Sequence, residues 1–382
     1  MIYLDNAATS FPKPECVTKA VTHFLINIGA NPGRSANTLS IKSAGILYET
    51  RKKLTKFING EDIFRTIFTL NATSAINTCL YGILNENDTV LITSLEHNAI
   101  IRPLNELKKQ KNINIKIIKA SQNSKIDLDE MREMAKGVKL ISCVHVNNVT
   151  GAILPILEIS KIAKENGALF LVDASQSVGL LDIDMQKLSI DFLCASAHKH
   201  LYAPMGLGFF SFSKNIDIKN FRSFYQGGTG SKSEEIIQPE LLPDKYESGT
   251  INMPAIAGLL KSLEWIEEKG VKDLYNHEMT LRDLLLFELK KSLYVKVCEV
   301  YEGYKTTGIL SFYTENKKIS EVAKKLNDFE VLCRVGLHCS PLTHESIKTL
   351  KHGGTIRLAP SFFTSKDEII KAAKIIKEIV DA

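Results

Sequence analysis

Over the first 210 residues, apolar runs of strand length alternate with stretches of helical period. "RTIFTL" (65–70) leads into the helix pattern "NATSAINTCLYGILNEN", and "DTVLITS" (88–94) into "IIRPLNELKKQK". "INIKIIKA" and "VKLISCVHV" read as strands, and "PILEISKIAKENG" as a helix closed by Gly167. "ALFLVDAS" (168–175) and "DFLCASA" (191–197) are two further strands. Strands separated by helices of this length predict a mostly parallel sheet covered on both faces. Past "YESGT" the pattern changes. A helical stretch over about 253–292 precedes the strands "VKVCEV" and "TGILSFYT", the helix "ISEVAKKLNDF", a strand near "VLCRVG" and a last helix, "SKDEIIKAAKIIKEIV". This second pattern predicts a smaller C-terminal α/β domain. The expected division is 12–255 and 256–382, with residues 1–11 packing near the smaller part.

In such a sheet, chemistry collects where the strands end. "SAHKH" (196–200) closes an apolar run and places Lys199 between two histidines. A lysine held among imidazoles and apolar neighbours tends to lose its proton and become a nucleophile, commonly toward an aldehyde. Asp173 ends the run of "LVDASQSVG", 26 positions earlier (199 − 173). A post-strand aspartate is most often a turn or helix cap; here it also suits a buried anion awaiting a cation. A protonated pyridine between the two would satisfy both, and pyridoxal phosphate supplies an aldehyde and a pyridinium. "LNATSAIN" follows a strand and opens a helix, so the backbone around Ala72 and the Thr73 hydroxyl make an anion site, with Ser196 and His198 able to complete it. His97, after "DTVLITS", suits proton transfer near neutral pH. Asn148, in "VHVNNVTG", suits a phenolic oxygen or a carboxylate, or simply a turn.

Composition narrows the field. The chain has 382 residues, 44% hydrophobic and 24% charged, with a net charge of +5. Its lysines are spread over what read as solvated helix faces, so nucleic-acid binding is not expected. No basic region followed by an apolar run marks a signal peptide, and no apolar stretch has the length of a membrane span. The seven cysteines show irregular spacing and no C-x-x-C pair, which points to a reducing cytoplasm rather than a disulfide framework or zinc ribbon. His338, Cys339 and His344 lack a fourth ligand at a recognisable spacing, so no metal is expected.

Taken together and in order, "YLDNAATS", "NATSAIN", "EHNA", "VNNVTG", "VDASQSVG", "SAHKH", "ESGT" and "RVGLHC" resemble the class V aminotransferase group of pyridoxal-phosphate enzymes, specifically the cysteine desulfurases and selenocysteine lyases. The resemblance covers essentially the whole chain. It implies the fold-type-I architecture: a large domain with a mostly parallel seven-stranded sheet sandwiched by helices, and a small C-terminal domain carrying the Cys339 loop. It also implies roles. Lys199 matches the Schiff-base lysine, Asp173 the carboxylate on the pyridine nitrogen, and Gln176 the amide near the phenolic oxygen. His97 matches the ring-stacking histidine, and Ala72, Thr73, Ser196 and His198 the phosphate site. Thr250, in "ESGT", matches a threonine reaching the phosphate of the other subunit, which implies a homodimer. Asn148 and Arg357 match the groups holding the substrate carboxylate, with Arg334 close by. Cys339 matches the cysteine that takes the sulfur. Nearby cations favour a nucleophilic thiolate. The implied reaction converts L-cysteine to L-alanine and leaves a persulfide for a sulfur-acceptor protein, as in sulfur mobilisation for iron–sulfur cluster assembly. The rival readings are a lyase acting on L-selenocysteine, and an aminotransferase or β-lyase of the same fold with no need of Cys339.

Overall fold

The computed structural model describes residues 1–33, 37–232 and 234–382. A short strand, Ile2–Tyr3 (β1), opens the chain. Thr66–Thr69 (β2), Thr89–Thr93 (β3), Asn114–Ile118 (β4), Leu140–Val144 (β5), Leu169–Asp173 (β6), Phe192–Ser196 (β7) and Gly208–Phe212 (β8) follow. They form one seven-stranded sheet in the order β2-β8-β7-β6-β5-β3-β4. Only β8 runs against the others, pairing antiparallel with β7 and β2. The C-terminal part adds Val295–Val297 (β9), Leu310–Thr314 (β10), Val331–Leu332 (β11), Arg334–Gly336 (β12) and Thr355–Leu358 (β13). Of these, β12, β13, β10 and β9 make an antiparallel four-stranded sheet, and β11 pairs in parallel with β1.

The large sheet is buried on both faces because alternate residues of each strand enter different cores. Leu91, Ile141, Phe170, Val172, Leu193 and Phe209 join one apolar cluster. Val90, Ile92, Leu140, Leu171, Phe192 and Phe210 join the other. A third cluster fills the C-terminal part and takes in Ile2 and Leu4 from the N-terminus.

The helical stretch expected over about 253–292 is two helices, Met253–Lys269 and Val271–Leu289. Gly270 breaks it by adopting φ +82°, which closes the first helix and opens the second. A division after residue 255 falls inside Met253–Lys269, whose Ile256, Leu259, Leu263 and Ile266 pack in the first cluster with Leu274. The core changes between Leu274 and Leu281, so a helix carries the chain from one core to the other. Among the described residues no helix is long and apolar enough to cross a membrane.

One buried ion pair fixes the edge of the large sheet. Arg51, on the helix Thr38–Phe57, meets Glu247 with two parallel bonds, Nη1–Oε1 at 2.6 Å and Nη2–Oε2 at 2.7 Å. The same groups also bond β2: Nη1 donates to the Thr66 carbonyl at 2.5 Å, and Oε1 accepts the Phe68 amide at 2.7 Å. Breaking such a pair strands a buried charge, whereas replacing both members by apolar groups does not. We therefore expect Glu247→Gln to cost about 3–5 kcal/mol in urea unfolding, and Arg51→Met with Glu247→Leu to recover most of the loss. Equal midpoints for wild type and Glu247→Gln would contradict this account.

Candidate active site

Five strands of the large sheet deliver their carboxyl ends to one cavity of about 230 Å³. Ala72 and Thr73 follow β2, His97 follows β3, Asn148 follows β5, Asp173 ends β6, and Ser196, His198 and Lys199 close β7; all of these line it. Arg334, His338, Cys339 and Arg357 enter from the C-terminal part, and Ala7 and Ala8 from the N-terminal segment. The cavity thus gathers every expected site residue except Thr250. Thr250 is exposed and lines a separate cavity of about 140 Å³ with Ser74, Gly206 and Tyr225.

The turn into the helix Ala72–Ile83 rests directly on β7 and β8. The Ala72 amide donates to Ser196 Oγ at 3.1 Å, and the Asn71 side chain caps the helix by accepting from the Ser74 amide at 2.9 Å. Gly208 permits this approach, because a Cβ there would collide with the Asn71 backbone. A helix N-terminus whose Thr73 amide keeps no partner among the described residues therefore faces the cavity next to Ser196 and His198.

Lys199 and its two neighbouring histidines part company. His198 lines the cavity, while His200 turns to Glu278 on the helix Val271–Leu289, Nε2–Oε2 3.5 Å. Burial pushes the Lys199 ammonium down to about 8, against the opposing pull of Asp173. Asp173 is itself buried and accepts the Ser175 amide at 2.9 Å. Burial, with Lys199 next, pushes His97 down to about 4. Its Nδ1 accepts the Ala99 amide at 3.0 Å, which assigns the ring proton to Nε2. Burial likewise holds His198 near 4.

Arg357, on β13, is the largest fully buried side chain. Its Nη1 donates to the Asn148 carbonyl at 3.0 Å and its Nη2 to Asp5 Oδ1 at 2.9 Å, leaving Nε unpartnered. Sequence reasoning missed Asp5: nothing at position 5 signals a partner 352 residues away. Glu96 was also missed. It lies fully buried, accepts Thr93 Oγ1 and the Val144 amide, and is pushed up to about 8 by burial. A carboxyl group beside the histidine of "EHNA" was the available signal.

Of the seven cysteines, Cys339 alone is exposed. Arg334 Nη2 stands 3.8 Å from its sulfur. His338 and Cys339 both have positive φ, +50° and +59°, a region that costs non-glycine residues energy and persists only where the surroundings impose it. Asn148 imposes it from both sides: Nδ2 donates to the His338 carbonyl at 2.8 Å, and Oδ1 accepts Ser340 Oγ at 2.7 Å. The Asn98 amide holds the Cys339 carbonyl at 2.8 Å, and His338 Nε2 meets Thr355. The Asn148 amide, expected on a substrate carboxylate, is thus already engaged at each end, with one N–H and one lone pair to spare. Among the described residues no group of three or more His, Cys, Asp or Glu side chains is placed to hold a metal ion.

An α/β sheet with a desolvated lysine and a buried aspartate at its carboxyl edge defines a pyridoxal-phosphate enzyme of the fold-type-I class. The Aminotransferase class-V family model matches residues 2–371. A probable cysteine desulfurase from Pyrococcus abyssi is 30% identical, with 100% of this chain and 94% of that one covered. Another, from Methanothermobacter thermautotrophicus, is 29% identical, with 99% and 94% covered. The solved apo cysteine desulfurase of Thermococcus onnurineus has the same fold, with a TM-score of 0.93, 27% identity, and 100% and 94% of the two chains covered. The chain belongs to the class-V aminotransferase family, whose members depend on pyridoxal phosphate.

The residues present fit that cofactor. His198 Nδ1, Gln176 Oε1 and Ser175 Oγ line the cavity buried and without a hydrogen-bond partner among the described residues. His198 Nδ1 and Ser175 Oγ, beside a helix N-terminus, can donate to an anion, whereas Gln176 Oε1 can only accept and, with its Nε2 given to the Ala7 carbonyl at 2.8 Å, awaits a donor on the ligand.

Two predictions follow from this geometry. A free amine adds to an aldehyde and an ammonium does not, so uptake of pyridoxal phosphate by the cofactor-free protein should climb with pH to a plateau reached just above the Lys199 midpoint, about 8. A rate still rising toward about 10.4, the value for a solvated lysine, would contradict the burial argument. Asn148→Ala should free the Cys339 loop. Its kcat should fall about 100-fold, the scale of a 1 Å misplacement, while alkylation of Cys339 by iodoacetamide speeds up. Unchanged alkylation would show that the two bonds do not hold the loop.

Proposed function

We propose that this chain is a pyridoxal-phosphate-dependent cysteine desulfurase that converts L-cysteine to L-alanine and holds the sulfur as a persulfide on Cys339. The observation that carries the reading is the exposed Cys339 thiol on the rim of the cavity that holds Lys199, Asp173 and His97, with Arg334 at its sulfur.

When bound, pyridoxal phosphate supplies an aldehyde for the lysine and a protonated ring that withdraws electrons from the substrate Cα. Asp173 would hold the proton on the ring nitrogen. The Ala72 backbone, Thr73, Ser196 and His198 would hold the phosphate, and Gln176 would stand at the phenolic oxygen. Arg357, with Asn148 and Arg334, receives the substrate carboxylate; a planar guanidinium suits it because its fork binds a carboxylate with two parallel bonds. Lys199, which burial favours as a free amine, would take the Cα proton, and neutral His97, with its proton on Nε2, would assist proton transfer at the cofactor. The Cys339 thiolate then attacks the substrate sulfur. Its Sγ–S bond forms as the substrate Cβ–S bond breaks, and the carbon takes up a proton to become the methyl group of alanine. A soft sulfur nucleophile is needed for this step.

We infer a homodimer in which Thr250 reaches the phosphate of the partner's site. Thr250 is exposed and away from its own chain's Lys199 cavity, and Leu70, Met205, Tyr225 and Leu241 expose apolar surface in the neighbouring segments. We place the protein in a reducing cytoplasm on the irregular spacing of its seven cysteines. The persulfide would pass to an acceptor protein, with iron–sulfur cluster assembly as one destination.

The test is alanine release from L-cysteine and from L-selenocysteine by wild type and Cys339→Ala. We expect wild type to use both, and the variant to lose L-cysteine turnover while keeping part of the selenocysteine turnover, because selenium leaves more easily. Wild type that ignores L-cysteine but releases alanine from L-selenocysteine would establish a selenocysteine lyase. Alanine from neither substrate would overturn the desulfurase reading and leave an aminotransferase or β-lyase.

A further inference from the structure

The segment "TSFPK" (9–13) carries none of the roles assigned above, yet four donors from it converge on one acceptor, the carbonyl oxygen of His198. They are the Ser10 amide at 3.1 Å, Thr9 Oγ1 at 3.2 Å, Ser10 Oγ at 3.2 Å and Lys13 Nζ at 2.8 Å. A carbonyl has two lone pairs, so it is oversubscribed, and the charged donor is both the nearest and the strongest. Lys13 Nζ also donates to Ser10 Oγ at 2.7 Å. No acidic side chain pairs with Lys13 among the described residues. Burial pushes the Lys13 ammonium down to about 7 and no carboxylate opposes the shift, so near neutral pH the group is charged only in part, and an anion nearby would favour its charged form. That charge also adds to burial and Lys199 in keeping the His198 imidazole neutral. That imidazole has its Nδ1 unpartnered in the cavity.

We propose that Lys13 is a positioning residue for the cofactor's phosphate: through the His198 carbonyl it fixes the imidazole where the neutral ring donates to a phosphate oxygen, and its own charge complements the dianion. This rests on the placement of the phosphate at His198 made under the proposed function. The exposed Lys19, six residues on, makes only an ion pair with Glu15 and serves as the control.

The test compares pyridoxal phosphate with pyridoxal, which has the same ring and aldehyde but no phosphate. The cofactor-free protein is titrated with each, and the lysine-bound band is followed by absorbance. Lys13→Met should raise the dissociation constant for pyridoxal phosphate about tenfold, the loss expected for one hydrogen bond to a charged group, and leave that for pyridoxal within about twofold. Lys13→Arg should restore most of the phosphate preference, and Lys19→Met should match wild type. Equal weakening toward both aldehydes would show a general structural prop and overturn the proposal, as would no change toward either. If thermal unfolding shows that cofactor-free Lys13→Met does not fold, Lys13→Gln carries the same comparison. Wild type that forms no lysine-bound band overturns the site assignment itself; a normal wild type with Lys13→Met unchanged overturns the role of Lys13 alone.

Discussion

A buried guanidinium must be paired, and the way Arg357 is paired holds the site together. The residue comes from β13 of the small sheet, its carboxylate partner Asp5 from the N-terminal segment, and its carbonyl partner Asn148 from the end of β5 in the large sheet. Desolvating such a charge costs several kcal/mol, which only good geometry offsets. Three remote parts of the chain are therefore locked in one register. Asn148 extends the lock, since its amide brackets Cys339 through His338 and Ser340. The group that would receive a substrate carboxylate and the thiol that would receive its sulfur are thus referenced to the same residue. A ligand that shifts Arg357 is felt at Cys339 through two bonds.

The electrostatics of the cavity follow from that frame. Lys199, Arg334 and Arg357 bring positive charge to it, and Asp173 and Asp5 answer part of it. The imidazoles cannot add more: burial, with the cations behind it, holds His97, His198 and His338 neutral. What is left is a desolvated space with surplus positive potential, the Thr73 amide at a helix N-terminus and orphaned polar atoms. A phosphate dianion and an amino-acid carboxylate are the anions this arrangement accommodates. Burial lowers the Lys199 ammonium, and Arg357 and Arg334 add to this against the pull of Asp173, so the desolvation that strengthens anion binding also frees the nucleophilic amine.

What was legible in the sequence was what local pattern encodes. Lys199, Asp173, His97 and Ser196 stand at the ends of strand-length apolar runs, and a parallel sheet brings such ends together. The helix Thr38–Phe57 was not legible, because the residues it buries are mostly polar: Ser40, Ser43, Thr50, Arg51 and Thr55 beside Leu54. Its inward face mixes these polar groups, which serve Glu247 and β2, with Ile46, Leu47, Leu54 and Phe57 packed on the first cluster, so no continuous apolar stripe announces it. The split at Gly270 was hidden by the continuity of helical period on either side. Asp5 and Lys13 were invisible for another reason. Their roles lie in contacts with residues 352 and 185 positions away, and a charged residue near a chain end carries no local sign of such a partner.

Cys339 has to satisfy two opposed demands, and its backbone shows how. A sulfur acceptor must be placed accurately toward the substrate, yet remain reachable by whatever takes the sulfur next. Long mobile loops meet the second demand at the expense of the first. Here the loop is short and held at four points, by Asn148 on both sides, by Asn98 at the Cys339 carbonyl and by Thr355 at His338. Left-handed φ values at two successive non-glycine residues turn the thiol outward along the cavity rim instead of into the core. The strain of those two residues, about 1–3 kcal/mol each, is offset by the four bonds. Accuracy and exposure coexist because the backbone, not loop motion, points the sulfur both at the cavity and at solvent.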